Sequence, residues 1–205
     1  AADAICAIFK DNPVVVPLGL RSYRVHVVHD RPHALTDAVA RLATELGPRA
    51  VSARADVTAP EDMRAATDLA LEKFGALDVV IANAGIVPPA ATLRTMDGAD
   101  FDRVVGVNLT GVFNTVQPAL EQIIANQGYV SIIASAAAFA PGAGGAPYMI
   151  SKSAVEQLGR ALRIELAPYG AAAGVVYFGV VETDMTHDTL DADELGRELG
   201  AMLPW

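Results

Sequence analysis

From residue 25 onward, short apolar runs alternate with longer stretches whose apolar residues return every three or four positions. Residues 25–29 read as a strand, and Leu35, Val39, Leu42 and Leu46 then mark a helix stopped by Gly47. Val51, Ala53 and Ala55 form a second strand. Thr58 is placed to cap the next helix, with Pro60 in its first turn and Met63, Ala66, Ala70 and Phe74 along one side as far as Gly75. Residues 77–82 are a continuous apolar strand, 100–124 a long helix containing Asn108 and Pro118, and 129–134 a strand. A helix over 147–167 and a strand over 175–178 follow. Strands this apolar cannot face water on either side, so the alternation predicts an α/β fold. Its form is a doubly wound parallel sheet in three layers, in one domain spanning 1–205. In such sheets ligands bind beyond the carboxyl ends of the strands, which directs attention to the residues after positions 29, 55, 82, 134 and 178.

Composition narrows the classes. The 205 residues carry 15 Lys+Arg against 24 Asp+Glu, a net charge of −9, and no basic run. Phosphate binding needs clustered cations, so nucleic acid and anionic membranes are not expected partners. A hydrophobic content of 52% excludes disorder. The stretch 122–151 has no charge, but Pro141, Gly142, Gly144, Gly145 and Pro147 break it, so it is not read as a membrane span. No secretory signal is read near the start, and the lone Cys6 cannot form an internal disulfide; a cytoplasmic location is expected.

The strand ends hold Asp30, Asp56, the run Asn83, Ala84 and Gly85, and Ser135. Beside them lies Tyr148, with Lys152 one helical turn later. A phenol with a pKa near 10 exchanges protons poorly at neutral pH, and a neighbouring ammonium favours its phenolate. The i,i+4 spacing puts both side chains on one helix face, and Ser135 could hydrogen-bond the same reacting oxygen. The pair alone also suits a tyrosine packed on a lysine stem. His26, His29, Asp30 and His33 resemble a metal cluster by composition. Residues 26 and 29 point to opposite strand faces, however, so no metal site is expected. Ser135 lacks the flanking glycines of a hydrolase elbow.

With Asp56 and Val57, Asn83 to Gly85, Asn108, Ser135, Tyr148, Lys152 and Thr183 in this order, the sequence resembles the short-chain dehydrogenase/reductase family, a Rossmann-type fold. The resemblance implies an NAD(P)-dependent oxidoreductase interconverting a secondary alcohol and a ketone. Tyr148 would be the general acid/base. Lys152 would lower the Tyr148 pKa and hold the nicotinamide ribose, Ser135 would orient the substrate oxygen, and Asn108 would hold a water linking Lys152 to solvent. Asp56, Val57, Asn83, Ala84, Gly85, Val181 and Thr183 would join Tyr148 and Lys152 in holding the cofactor. Asp30 could accept both hydroxyls of the adenosine ribose and would repel a 2′-phosphate, which favours NAD, while Arg31 beside it leaves NADP open. Ala136, Phe139, Val181 and the segment after Met185 would line the pocket for a small apolar alcohol or ketone. The segment 185–205 would begin the region that covers it. Apolar residues around the 100–124 and 147–167 helices predict a homodimer or homotetramer.

One element departs from the family pattern. The glycine-rich loop expected some 25 residues before Asp30 is absent: positions 6–13 hold no glycine, and Pro13 has no N–H to offer a diphosphate. The first βα unit, 1–24, is therefore atypical, and the chain ends at Trp205 before the further helix and strand that family members have. Two expectations follow. Either the chain is incomplete at its ends, or it is a catalytically silent relative serving as a binding or assembly module.

Overall fold

A computed structural model describes residues 47–140 and 142–179, together with 3–4, 23–29 and 43–44; for 3–4 and 23–29 it describes the backbone alone. In chain order the elements are β1 (Asp3–Ala4), β2 (Tyr23–His29), β3 (Ala50–Arg54), α1 (Pro60–Phe74), β4 (Val79–Ala82), α2 (98–125), β5 (Tyr129–Ser135), α3 (Ala146–Leu166) and β6 (Ala172–Phe178). Among the described residues all the strand pairs are parallel. Their order is β1-β2-β3 in one ladder and β4-β5-β6 in the other. The predicted helix over 35–46 lies almost wholly outside the described residues, as do Asp30, Val181, Thr183 and the 6–13 interval.

The apolar pattern explains the layers. On β5, Val130, Ile132 and Ala134 alternate with Ser131, Ile133 and Ser135. Val130 and Ile132 are paired with Ala173 and Val175 of β6. This face, with Val80 and Ala82 of β4, packs on Val112, Val116 and Ile123 of α2 and on Val155, Leu162 and Leu166 of α3. A smaller cluster of Ala55, Val57, Met63 and Val107 fills the space above the carboxyl ends, against Ala84 and Ile86.

Helix ends follow local chemistry, with one correction. Thr58 does not cap α1. The cap position is Ala59, without a side-chain bond, because the Thr58 hydroxyl and amide both turn to Asp56 Oδ1, at 2.7 and 2.8 Å. Glu61 and Asp62 in the first turn still suit the positive helix end, and Gly75, with φ 76°, closes the other. Asp97 caps α2 by accepting from Ala99 N at 3.0 Å. That helix is continuous but not uniform. A π turn occupies Gly106–Thr110 and a 3-10 turn Gln117–Ala119, where Pro118 has no amide to continue the ladder.

Two glycines set how closely the layers meet. A Cβ on Gly128 would strike the Asp78 carbonyl, and one on Gly159 would strike Val175 Cγ2. Gly159 thus lets α3 lie directly on β6. Gly159→Ala is expected to push the helix off the sheet and to lower the unfolding free energy by roughly 1–3 kcal/mol, measured by urea denaturation.

Candidate functional site

α2 gathers the strand ends, and asparagines do most of that work. Asn114, buried on α2, donates to Val57 O at 2.8 Å, while Gly111 leaves room for the Val57 side chain. One turn earlier, Asn108 sits in the π turn, fully buried. Its Oδ1 accepts from Ile86 N at 2.8 Å, and its Nδ2 donates to Ile86 O at 2.9 Å and to Ser151 Oγ at 3.1 Å. One side chain therefore ties the loop after β4 to α2 and α3. A π turn also leaves a main-chain carbonyl without its usual intrahelical amide.

α3 carries the chemistry because its buried stripe is not wholly apolar. Ser151, Lys152, Val155, Glu156, Gly159 and Leu162 recur at helical spacing on the inward face. Burying two charged residues costs free energy unless each is partnered. Glu156 accepts from Arg160 Nε and from Tyr177 Oη. Lys152 Nζ donates to Ile133 O of β5 at 2.8 Å, lies 5.7 Å from the centroid of the Tyr148 ring, and keeps two further hydrogens by valence. Gly85 closes the same corner: a Cβ there would come within 3.3 Å of Lys152 Nζ and 3.6 Å of Asn108 Oδ1.

The structure thus brings Asn108, Ser135, Tyr148, Lys152 and Gly85 together. Ser135 lies beside the Tyr148 phenol, and its Oγ accepts from Ala137 N at 3.2 Å and donates to Phe178 O at 3.5 Å. Burial pushes the Tyr148 pKa up from its ordinary value, and Ser135 pulls it part of the way back, so the net direction is upward. Burial likewise brings Lys152 down to about 8. Asp56 is exposed at the end of β3; its own amide donates to Asp62 Oδ2 at 2.8 Å, and its Oδ1 organises Thr58. Asn83 and Ala84 are half-buried beside Gly85.

Phe139 stands apart. It is 63% exposed, with its ring tilted against Tyr177 at 5.2 Å, while Ser153 of α3 donates to Ala138 O just before it. Sequence reasoning missed Ser151, Asn114 and the backbone partners of Lys152 and Asn108. A serine lodged between Tyr148 and Lys152 was a visible signal; main-chain carbonyls such as Ile133 O leave none.

A family model described as short chain dehydrogenase matches residues 14–194. The chain belongs to the short-chain dehydrogenase family. Among curated members it is 34% identical to a 2-(R)-hydroxypropyl-CoM dehydrogenase of Xanthobacter autotrophicus, over 84% of this chain and 66% of the relative. It is 35% identical to a cis-2,3-dihydrobiphenyl-2,3-diol dehydrogenase of Pseudomonas putida, over 68% and 52%. The chain spans about half to two thirds of the length of these relatives. Among solved structures, a 3-ketoacyl-(acyl-carrier-protein) reductase from Brucella melitensis, complexed with NADH, superposes with a TM-score of 0.73 at 28% identity, over 89% of this chain and 81% of that one. The parallel sheet with flanking helices is the Rossmann-type fold of these dehydrogenases. Among the described residues, no helix is long and apolar enough to cross a membrane.

The lowered Lys152 pKa has a thermodynamic sign. Below about pH 8 both folded and unfolded chains hold the proton; between about 8 and the ordinary 10.5 the unfolded chain holds more, so stability rises with pH across that window. Lys152→Met is expected to flatten the rise between pH 8 and 10 in urea titrations at fixed ionic strength.

Proposed function

We propose that this chain is a nicotinamide-dependent oxidoreductase that interconverts a secondary alcohol and a ketone, with Tyr148 as general acid/base. The observation that carries this reading is the Tyr148 phenol, set beside Ser135 with Lys152 Nζ 5.7 Å from its ring centroid, beyond the carboxyl end of β5. The donor set suits a dinucleotide. Lys152 has hydrogens to spare for ribose hydroxyls, Asp56 and Val57 present a carboxylate and backbone at the end of β3, and Gly85 keeps the backbone free of a Cβ where it passes Lys152. Asn83 and Ala84 extend that surface. Outside the described residues, Asp30, Val181 and Thr183 complete the set, with Asp30 favouring NAD over NADP.

The nicotinamide would supply or accept the hydride. The chain's own residues handle position and proton. Tyr148 holds its proton firmly at neutral pH and gives it from Oη to a ketone oxygen in reduction; in oxidation the same oxygen takes the alcohol proton. Ser135 Oγ holds the reacting oxygen beside that phenol. Lys152, brought down to about 8 by burial, is still mostly charged at neutral pH and biases the phenol toward phenolate. The side-chain amide of Asn108 is committed to Ile86 and Ser151, so a water linking Lys152 to solvent would meet a carbonyl of the π turn instead.

The named relatives act on alcohols and diols, which supports a small, largely apolar substrate. Ala136 and Phe139, both exposed after β5, would line its pocket, with Phe139 resting on Tyr177. The absence of glycine from 6–13 favours the second reading, a silent relative that binds or assembles without turnover. A fluorescence titration with NADH and NADPH, followed by a secondary-alcohol screen, separates the two. Micromolar binding that favours NADH, and turnover that falls at least 100-fold in Tyr148→Phe with binding retained, is the expected result. No binding to either nucleotide would uphold the silent relative.

A homodimer accompanies this reading. Phe113 of α2 and Ile150 and Ile164 of α3 expose about half of their surface or more on the outer helix faces. Sedimentation equilibrium is expected to give the dimer mass for the unaltered chain and the monomer mass for Phe113→Glu combined with Ile164→Glu.

A further inference from the structure

Ser151 has no part in the chemistry above, yet it occupies the most constrained polar position in the site. It is fully buried on α3 between Tyr148 and Lys152. Its hydroxyl donates to the Tyr148 main-chain carbonyl at 2.7 Å, and its Oγ accepts from Asn108 Nδ2 at 3.1 Å. Serines inside helices often bond a carbonyl three or four residues back, and that bond alone would say little. Here the same oxygen also receives a hydrogen from another helix. Both Asn108 amide hydrogens and the Ser151 hydroxyl hydrogen are spent, so the chain of bonds has one direction, from Asn108 through Ser151 to Tyr148. Alanine would fill nearly the same space while leaving one buried Asn108 hydrogen without an acceptor.

We propose that Ser151 is a positioning residue: its hydroxyl pins the first turn of α3 to Asn108 and so keeps the Tyr148 phenol within reach of Ser135. Ser153, on the other side of Lys152, fixes the turn after Ser135 through Ala138 O at 2.8 Å, so Ser135 and the phenol are held from separate directions. The inference rests on the reading of Tyr148 as the acid/base. Its consequence is carried by the nearness of Ser135, which favours the phenolate; losing the hydroxyl at 151 lets the first turn of α3 shift from Ser135 and moves the Tyr148 titration to higher pH. Among the described residues Lys152 is the charged group facing the phenol ring. It titrates near 8, below the phenol, and Glu156 on the next turn is paired with Arg160.

The test is a tyrosinate absorbance titration of the full chain, with Tyr148→Phe subtracted to isolate the Tyr148 step. Ser151→Ala is expected to raise that step by about half a pH unit or more, and Ser151→Thr, which keeps the γ-oxygen, to return it toward the unaltered value. On any alcohol that the unaltered chain oxidises, Ser151→Ala should lower kcat while KM stays within about twofold. A Tyr148 step in Ser151→Ala that coincides with that of the unaltered chain overturns the proposal. Should the alanine variant not fold, Ser151→Cys decides in its place: a raised step upholds the proposal, an unmoved one rejects it. Unchanged turnover in Tyr148→Phe would instead remove the acid/base reading and leave the titration result standing.

Discussion

The arrangement depends on one buried amide. Asn108 has no solvent to fall back on, so every hydrogen it carries must find an acceptor inside the protein, and the acceptors it finds belong to the loop after β4 and to α3. The π turn is what presents the side chain at the required angle: one extra residue in the turn shifts the face of α2 at 106–110 relative to the regular helix on either side. If α2 were regular throughout, the amide would not face Ile86 and Ser151 together. The polar contacts that align Tyr148, Ser135 and Lys152 are thus secured by a local irregularity rather than by the apolar core, which supplies most of the stability but little of the orientation.

A second constraint is electrostatic. Lys152 and Tyr148 are both pushed by burial toward their neutral forms, the amine down and the phenol up. The two shifts oppose what a phenolate–ammonium pair requires. They leave the proton on the phenol at neutral pH, so ionisation of Tyr148 depends on contacts that favour its phenolate. Ser135 is a contact that already tilts the phenol toward ionisation.

Much of this was legible in the sequence, and the remainder was hidden for identifiable reasons. Strand and helix order followed from apolar spacing, because β5 and β6 carry short apolar runs and α3 keeps its inward stripe over five turns. Boundaries drifted where polar or small residues extend a strand: Arg24 and Ala172 lie outside the apolar runs yet continue their ladders. Thr58 looked like a helix cap, but Asp56 two residues earlier is the better acceptor for its amide and hydroxyl. Ser135, Tyr148 and Lys152 could be named in advance because their chemistry is carried by side chains at fixed spacings, and Asn108 through the family resemblance. Ile133 O, Ile86 and the Ser151 bridge could not, since backbone partners are chosen by three-dimensional register. Phe139 was expected at the pocket; its pairing with Tyr177 comes from strand register, which brings β6 beside the turn after β5.

The ends of α2 bear on how such a chain can change over evolutionary time. At its π turn Asn108 holds the loop at 86; just past its end Asn126 donates to Leu77 O at 3.1 Å, Tyr129 N donates to Asp78 O at 2.8 Å, and Gly128 leaves no room against the same carbonyl. Between these anchors the helix behaves as a strut of set length. Inserting or deleting a residue within 109–125 would rotate one anchor away from its partner by about 100° per residue. Length variation should therefore collect in the exposed stretch 89–97, where Leu93 is 68% exposed and side chains meet mainly solvent. Lineages of this fold are free to remodel what lies over the site while inheriting the spacing beneath it unchanged.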